Sequence, residues 1–403
     1  MAIDFEPDDE TADIARRTAA FVREVALPAE VAEGGVLHHG PEALRRELQE
    51  AARSWGVFAP HVPEVWGGMG LDLRGQAVVF EEAGYSLFGP LAINGAAPDE
   101  GNMHLLEVVA DEGQKARYLA PLTRGDIRSC FAMTEPAPGA GSDPDLLATT
   151  AARVKGGWRL DGRKWFITGA RGAQLLICMA RTGGTPGGSG GTGATMFLVD
   201  ADNPGVELVR DIPSLDEAMF GGHCEVRFDD CVVGDDSVLG EVDRGFHYAQ
   251  VRLGPARLTH CMRWLGLARR ARDLALQRSV EREIFGSRLS ELGAIQQMLA
   301  DSEIDLAAAR SLIWQAAWKL DQGERAAQET SIAKTFVAEA VGRVVDRSVQ
   351  ICGALGVSGD LPLSRYLREV RSFRIYDGPS EVHRWSIARR AVRRMQREDP
   401  HDG

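Results

Sequence analysis

Three stretches carry side chains and backbone suited to chemistry. The first, late in the chain, is Tyr376-Asp-Gly-Pro-Ser-Glu381. It offers a carboxylate between an aromatic residue and a glycine, which on its residues alone reads as a turn or helix-capping aspartate. The second is Phe131-Ala-Met-Thr-Glu-Pro136 followed by Gly139-Ala-Gly-Ser-Asp143. Its Gly139–Ser142 run is a tight loop with exposed backbone N–H groups and a hydroxyl, able to meet a phosphate or the polar edge of a ring. The third is Trp158-Arg-Leu and Arg163-Lys-Trp-Phe-Ile-Thr168, which flank Asp161-Gly162, the preferred turn of a tight β-hairpin. The alternative for the last two is a plain surface hairpin beside a Gly-rich turn. A formal G-x-G-x-x-G at Gly188, Gly190 and Gly193 is followed by a strand pattern and not by a helix, so it reads as a flexible surface loop. His383 reads as a packed or surface histidine, and Arg384, Arg389, Arg390, Arg393, Arg394 and Arg397 as a solvated or inter-subunit face.

The elements that must position these groups belong to an ordinary globular chain. It has 403 residues, 44% hydrophobic and 26% charged, enough for two or three domains. A formal net charge of −12 argues against a nucleic-acid or anionic-membrane binder. Cys130, Cys178, Cys224, Cys231, Cys261 and Cys352 form no C-x-x-C pair, so no metal site or disulfide framework is expected. The acidic start Met1-Ala-Ile-Asp-Phe-Glu lacks the apolar core of a targeting peptide, and no apolar run approaches the roughly 20 residues of a membrane span. A cytoplasmic protein is expected.

Residues 11 to about 125 read as helical. Ile14, Phe21, Val22 and Val25 share a face of a helix that Thr11 caps and Pro28 ends. Leu44, Leu48, Ala51 and Trp55 make a second stripe between Pro41 and Gly56, and a third helix starts near Asp72. Ala96 to Met103 reads as a solvated, turn-rich link. From about residue 127 the pattern becomes strand-like, with apolar runs at Leu175–Ala180 and Thr195–Val199 and alternation at Glu225–Phe228. From Gly245 the helical period returns, as in Leu306, Ile313, Ala317 and Leu320 before Gly323, or Ile332, Phe336, Ala340 and Val344 before Gly353. Gly254-Pro255 is expected to kink or break its helix. The domains expected are 1–126 helical, 127–241 β and 242–403 a helical bundle.

Thr-Glu-Pro, then Gly-Ser-Asp, then Asp-Gly-Arg-Lys-Trp-Phe-Ile-Thr-Gly-Ala resembles, in order, the flavin-binding middle domain of the acyl-CoA dehydrogenase family. The resemblance extends over almost the whole chain. It implies an α+β multidomain fold: an N-terminal α-helical domain, a central β-domain of barrel or sandwich type, and a C-terminal four-helix bundle. It implies FAD, an acyl-CoA substrate dehydrogenated to a 2,3-enoyl-CoA as in fatty-acid β-oxidation, and an electron-transfer flavoprotein as electron acceptor. In that family the place of Asp377 holds a glutamate that takes the α-proton, and the Asp-Gly-Pro form resembles a branch with aspartate there. Aspartate is one methylene shorter, so the backbone must approach by roughly 1.5 Å or the substrate must shift. A second base position used by some members, a glutamate beside an arginine, is Ala256 here, which favours Asp377. Arg257, Tyr376 and Gly378 fall near the substrate by the same resemblance.

For the flavin, the resemblance implies that Phe131, Met133 and Thr134 line the isoalloxazine. Phe166 packs on it where many relatives have tryptophan, with Trp165 in the core. Thr168 lies near N5, and Ser142 meets the phosphate or the CoA arm. Arg282 of Arg-Glu-Ile-Phe-Gly286 pairs with the pyrophosphate and Phe285 packs near the adenosine. Gln350 and Gly353 belong to a Gln-x-x-Gly loop, and Pro379, Ser380 and Glu381 to the adenine side. Gly293 and Ala354 depart from the family pattern, where glutamine and glycine stand, and Pro379 has no N–H to offer. These bundle contacts would come from a neighbouring subunit, which implies a homodimer or homotetramer. Two other readings compete. One is the same fold with its aspartate base working as an oxidase, on nitroalkanes or acyl-CoAs. The other is a non-catalytic flavin-bearing scaffold.

Overall fold

The computed structural model describes residues 5–183 and 193–398, so the Gly188–Gly193 loop reading falls largely outside the described residues. Helices run to Thr123, strands from Ser129 to Leu239, and helices again from Gly245. By packing, the chain divides into two compact units, Met1–Gly35 with Leu71–Pro90 and Arg257–Gly403, and Val36–Gly70 with Leu91–Ala256. Among the described residues no helix is long and apolar enough to cross a membrane.

The second unit holds the sheet. Its strands are β1 (Ser129–Ala132), β2 (Thr150–Val154), β3 (Gly157–Thr168), β4 (Leu175–Arg181), β5 (Ala194–Asp200), β6 (Val206–Asp211), β7 (His223–Gly234) and β8 (Val238–Leu239). They pair in the order β6-β7-β3-β2-β4-β5-β8, with β1 beside β4. Every residue of β4 is buried, as its unbroken apolar run requires of a strand covered on both faces. One face carries a core of Trp158, Leu160, Ile167, Leu176, Cys178, Phe197, Val199, Val226 and Phe228, spaced by the strand period of two.

The expected Asp161-Gly162 hairpin is not a hairpin. β3 continues through both residues, with a register shift against β7 between Leu160 and Gly162, and the turn lies at Lys155-Gly156, where Val154 pairs with Gly157 and Gly156 has φ +77°. Gly162 is needed for a different reason: a Cβ there would sit 2.4 Å from Thr149 Oγ1. Ala96–Met103 is not a solvated link either. A helix already begins at Asp99, Asn102 is fully buried, and Asp99 Oδ1 accepts from Ser129 N at 2.7 Å. In the helix Glu42–Ser54 the buried face is Arg45, Leu48, Gln49 and Ala52. It is turned from the apolar stripe because the Arg45 guanidinium is held by Glu42 Oε1 and Gln49 Oε1.

In the first unit the opening helix spans Asp9–Phe21. Its cap is Asp8, accepting from Thr11 N at 2.7 Å, and not Thr11. Pro28 does not end the helical run. A π-turn over Val22–Ala26 precedes it, and Pro28 then lies in the first turn of the helix Leu27–Ala32, where its missing N–H is harmless. Asp72 caps Leu73–Ala83 as the sequence implies. Later helices span Gly293–Asp321, Ala327–Cys352, Leu363–Phe373 and Ser380–Glu398. Gly254-Pro255 does not interrupt its helix, which runs from Gly245 to Glu281.

Candidate active site

The loop after β1 is built around one buried carboxylate. Glu135 Oε2 accepts from Ala140 N at 3.0 Å and Ala148 N at 2.6 Å, and Oε1 from Thr149 N at 2.8 Å. Lys164 Nζ, fully buried on β3, lies 2.8 Å from Oε1 and also bonds Met133 O at 3.1 Å. Trp165 N donates to Thr134 O at 3.1 Å and the Thr134 hydroxyl donates to Trp165 O at 3.1 Å. The segment Met133–Glu135 is thereby strapped to β3. Burial alone would raise the Glu135 pKa, but the Lys164 charge and the hydrogen bonds prevail and hold it down to about 2. The ionised form is favoured in the native state, so this contribution to stability is complete above pH 4.5 and is lost as pH falls from 4.5 towards about 2. The gap in urea stability between the parent and Glu135→Gln should therefore narrow on acidification through that window. A constant gap would show that the carboxylate charge is not what Lys164 and the loop amides hold.

Beside this loop β3 leaves its ladder. The pairing with β7 shifts between Lys164 and Ile167, and Phe166 sits in the bulge at φ +51° with 46% of its surface exposed. A left-handed backbone at a non-glycine residue is strained and persists where its surroundings over-determine it. Here it presents a phenyl ring outward, edge-on to Trp165 at 5.1 Å between centroids. Trp165 is only half-buried and not a core residue, because the bulge turns it out as well. On the same unit Thr168 Oγ1 lies 2.9 Å from His223 Nδ1, and His223 Nε2 lies 3.1 Å from the buried Asp216. Burial opposes ionisation of Asp216, but His223 and Ser214 outweigh it and draw its pKa to about 2. Phe131 carries the Arg252 guanidinium over its ring at 4.3 Å, with Arg252 Nε on Asn102 Oδ1 at 2.7 Å. Ser142 is exposed in the loop. A half-exposed aromatic ring held by strained backbone, with hydroxyls at Thr134 and Thr168, fits a planar polar ring such as a flavin.

In the other unit Asp377 is held from several sides. Its φ is +53°, and the next residue, Gly378, has φ +98°. Arg257 Nε donates to Asp377 O at 2.9 Å, and His383 Nε2 is 3.2 Å from the same oxygen. Lys334 Nζ, on the helix Ala327–Cys352, donates to Phe373 O at 2.7 Å and to Gly378 O at 3.0 Å. A Cβ on Gly378 would come within 2.8 Å of His383 Nε2, so the turn needs glycine for both its φ and its space. His260 Nε2 approaches Asp377 Oδ2 to 3.2 Å. Tyr376 OH accepts from Trp264 Nε1, and its ring packs on His260 and Phe373 at 4.9 and 5.5 Å between centroids. Burial lowers the Lys334 pKa to about 8. It lowers that of His383 to about 4, helped by the charges of Arg257 and Lys334.

The remaining sequence candidates lie in this same unit, apart from Asp377. Arg282 is exposed and makes no ion pair among the described residues. It precedes a tight ribbon, Glu283–Ile284 with Ser287–Arg288, whose turn residue Phe285 has φ +51° and 96% exposure. Gln350 is exposed near the end of its helix, and Gly353 caps that helix at φ +61°. Pro379, buried Ser380 and exposed Glu381 open the helix Ser380–Glu398. No motif or periodicity pairs Glu135 with Lys164, Arg252 with Asn102 or His223 with Asp216, or brings Lys334, Trp264 and His260 around Asp377. Except for His223 and Asp216, which are seven residues apart, each is joined to its partner by packing across long stretches of chain.

Comparison with known proteins identifies the family. Models of the acyl-CoA dehydrogenase N-terminal, middle and C-terminal domains match residues 8–126, 130–231 and 243–392. The Mycobacterium tuberculosis protein "Probable acyl-CoA dehydrogenase FadE2" is 38% identical over 404 residues, covering 97% of this chain and 98% of the relative. Acyl-CoA dehydrogenase family member 11 of Gallus gallus is 36% identical over 94% of this chain, which spans only 50% of that relative. The structure of butyryl-CoA dehydrogenase from Megasphaera elsdenii superposes with a TM-score of 0.86 at 28% identity, covering 97% of this chain and 100% of the other. By sequence and by fold, the chain belongs to the acyl-CoA dehydrogenase family of flavin-dependent oxidoreductases.

Proposed function

We propose that the protein dehydrogenates an acyl-CoA to a 2,3-enoyl-CoA, with Asp377 taking the α-proton. The observation that carries this reading is the Asp377 turn. A strained backbone is fixed by Arg257, His383 and Lys334, which places a short carboxylate with little freedom. Bound FAD supplies the acceptor for the β-hydride. The protein's own part is to hold the thioester, polarise it, exclude water and receive the proton at the Asp377 carboxylate. Phe131, Met133, Thr134, Phe166 and Thr168 line the flavin in this reading, with Ser142 at the phosphate or CoA arm, and Arg257, Tyr376 and Gly378 near the substrate. The domains divide at 126/127 and 241/242. An electron-transfer flavoprotein takes the electrons, and a homodimer or homotetramer completes the FAD site.

The direct test is product identity. The purified protein is incubated with butyryl-, octanoyl-, isobutyryl- and phenylpropionyl-CoA and an artificial one-electron acceptor. Mass spectrometry should show one thioester losing two hydrogens; thioesters recovered unchanged throughout would refute the reading. Arg282, Phe285, Gln350, Gly353, Pro379, Ser380 and Glu381 are proposed to serve the pyrophosphate and adenosine end of FAD. Arg282→Ala should then weaken FAD binding about 10- to 100-fold, the worth of a charge-assisted hydrogen bond. Fluorescence titration of apoprotein with FAD measures this, and an unchanged Kd would remove Arg282 from the site.

A further inference from the structure

The Asp377 carboxylate touches a histidine that the reaction as described leaves without a task. His260 lies one helical turn beyond Arg257, with Nε2 3.2 Å from Asp377 Oδ2, and its side chain is 7% exposed against 19% for the aspartate. On the far side of the ring, Arg263 presents its terminal guanidinium nitrogen 3.1 Å from His260 Nδ1. A guanidinium has only donors and keeps its charge in proteins, so Nδ1 is the acceptor there. An imidazole whose Nδ1 accepts carries its proton on Nε2. The ring is therefore neutral, with an N–H on the side of the carboxylate. It is wedged against Tyr376 at 4.9 Å and Phe373 at 6.2 Å between centroids, which fixes its plane.

We propose that His260 is a positioning residue for the proton-accepting carboxylate: Arg263 holds the ring in its Nε2–H form, and with substrate bound that N–H takes up Oδ2 of Asp377 while Oδ1 takes the proton. The inference rests on the reading of Asp377 as the base. It follows that His260 orients the carboxylate and does not relay its proton, because Nδ1 is engaged by Arg263. Aspartate reaches one methylene less far than glutamate. Here its carbonyl is held by Arg257 and His383, and His260 Nε2 stands 3.2 Å from its carboxylate. The 3.2 Å contact is not aligned as a hydrogen bond in the ligand-free structure; catalytic hydrogen bonds in ligand-free enzymes are often poorly aligned and tighten with substrate bound.

The other titratable or charged groups around the pair are Arg257, Cys261 and Arg263 on the same helix, Lys334 and Glu339 on the helix Ala327–Cys352, His383 on the last helix, and Tyr376. None of these groups is itself changed when only residue 260 is replaced, and the glutamine variant keeps an acceptor for Arg263, so the comparison of its pH profile with that of His260→Ala reports on this contact. The experiment uses the FAD-loaded protein and whichever of butyryl-, octanoyl-, isobutyryl- and phenylpropionyl-CoA bleaches it fastest. The second-order rate constant of anaerobic flavin reduction is followed against pH for the parent, His260→Ala, His260→Gln, His260→Asn and Asp377→Asn. A donor to a carboxylate favours its charged form, so losing it raises the pKa of the base. In His260→Ala the acidic limb should move up by ~1 unit, and the plateau should fall about 10-fold.

Glutamine places a neutral N–H at the reach of Nε2 and an oxygen for Arg263, so His260→Gln should restore the limb, whereas the shorter asparagine should not. If His260→Ala does not fold, the glutamine and asparagine variants make the same comparison. A plateau lowered in every variant with the limb unmoved would mean a merely structural histidine and would overturn the proposal, while an inactive Asp377→Asn left the base assignment standing. An Asp377→Asn protein as fast as the parent, or no bleaching by any of the thioesters, would overturn both.

Discussion

Flavin reduction by an acyl-CoA should fall by about 10²- to 10⁴-fold when Asp377 is replaced by asparagine, since positioned general-base catalysis is worth that much. Asparagine is the informative replacement. Asp377 has φ +53°, and asparagine tolerates the left-handed region better than alanine does. The turn held by Arg257, His383 and Lys334 is then kept, and only the carboxylate is lost. Rapid mixing of oxidised protein with substrate under argon measures the effect. The oxidised flavin spectrum serves as control that the cofactor site is unchanged. A rate within about 10-fold of the parent would lie below the range for general-base catalysis and would place the base elsewhere. Ala256, beside Arg257, offers no carboxylate in its place.

Lys164→Met should produce the largest loss of stability, about 3–5 kcal/mol, because it leaves a buried carboxylate without its cation. Both side chains are nearly inaccessible, at 0% for Lys164 and 2% for Glu135. The three backbone amides on Glu135 soften the loss and do not replace the charge. The double variant Glu135→Gln, Lys164→Met should recover part of it, since the uncompensated charge is then gone. Urea unfolding of the four proteins closes the cycle, and a single-variant loss below about 1 kcal/mol would mean the pair acts as a surface ion pair does. The consequence reaches function through the Met133–Glu135 strap. With Lys164 gone, Met133 O also loses a donor, and FAD retention should fall together with stability.

The broad order of the fold was legible because hydrophobic period changes with element type. The 3.6-residue stripes around Asp72 and before Gly353, and the buried apolar runs of β4 and β5, each stand where periodicity puts them. The misreadings share a physical cause, which is that turn-type residues also serve tertiary packing. Asp161-Gly162 looks like a hairpin turn, yet Gly162 is glycine because Thr149 crosses it. Pro28 and Pro255 look like helix ends, yet a π-turn precedes one and the helix continues through the other. Asp99 and Asn102 look solvated, yet they bond Ser129 in the interior. For the candidate site, the motif stretches were legible through their ordered resemblance to a family. The groups that tune them were not. His260 meets Asp377, and Glu135 meets Lys164, only after long-range packing has brought distant segments together. Nothing in local spacing marks such pairs.

The visible spectrum of the FAD-loaded protein during anaerobic addition of the four acyl-CoAs decides whether this is an acyl-CoA dehydrogenase with Asp377 as its base. The oxidised flavin band should bleach with one class of thioester, and Asp377→Asn with the same thioester should stay oxidised on that timescale. A yellow protein that remains oxidised with every thioester would contradict that reading.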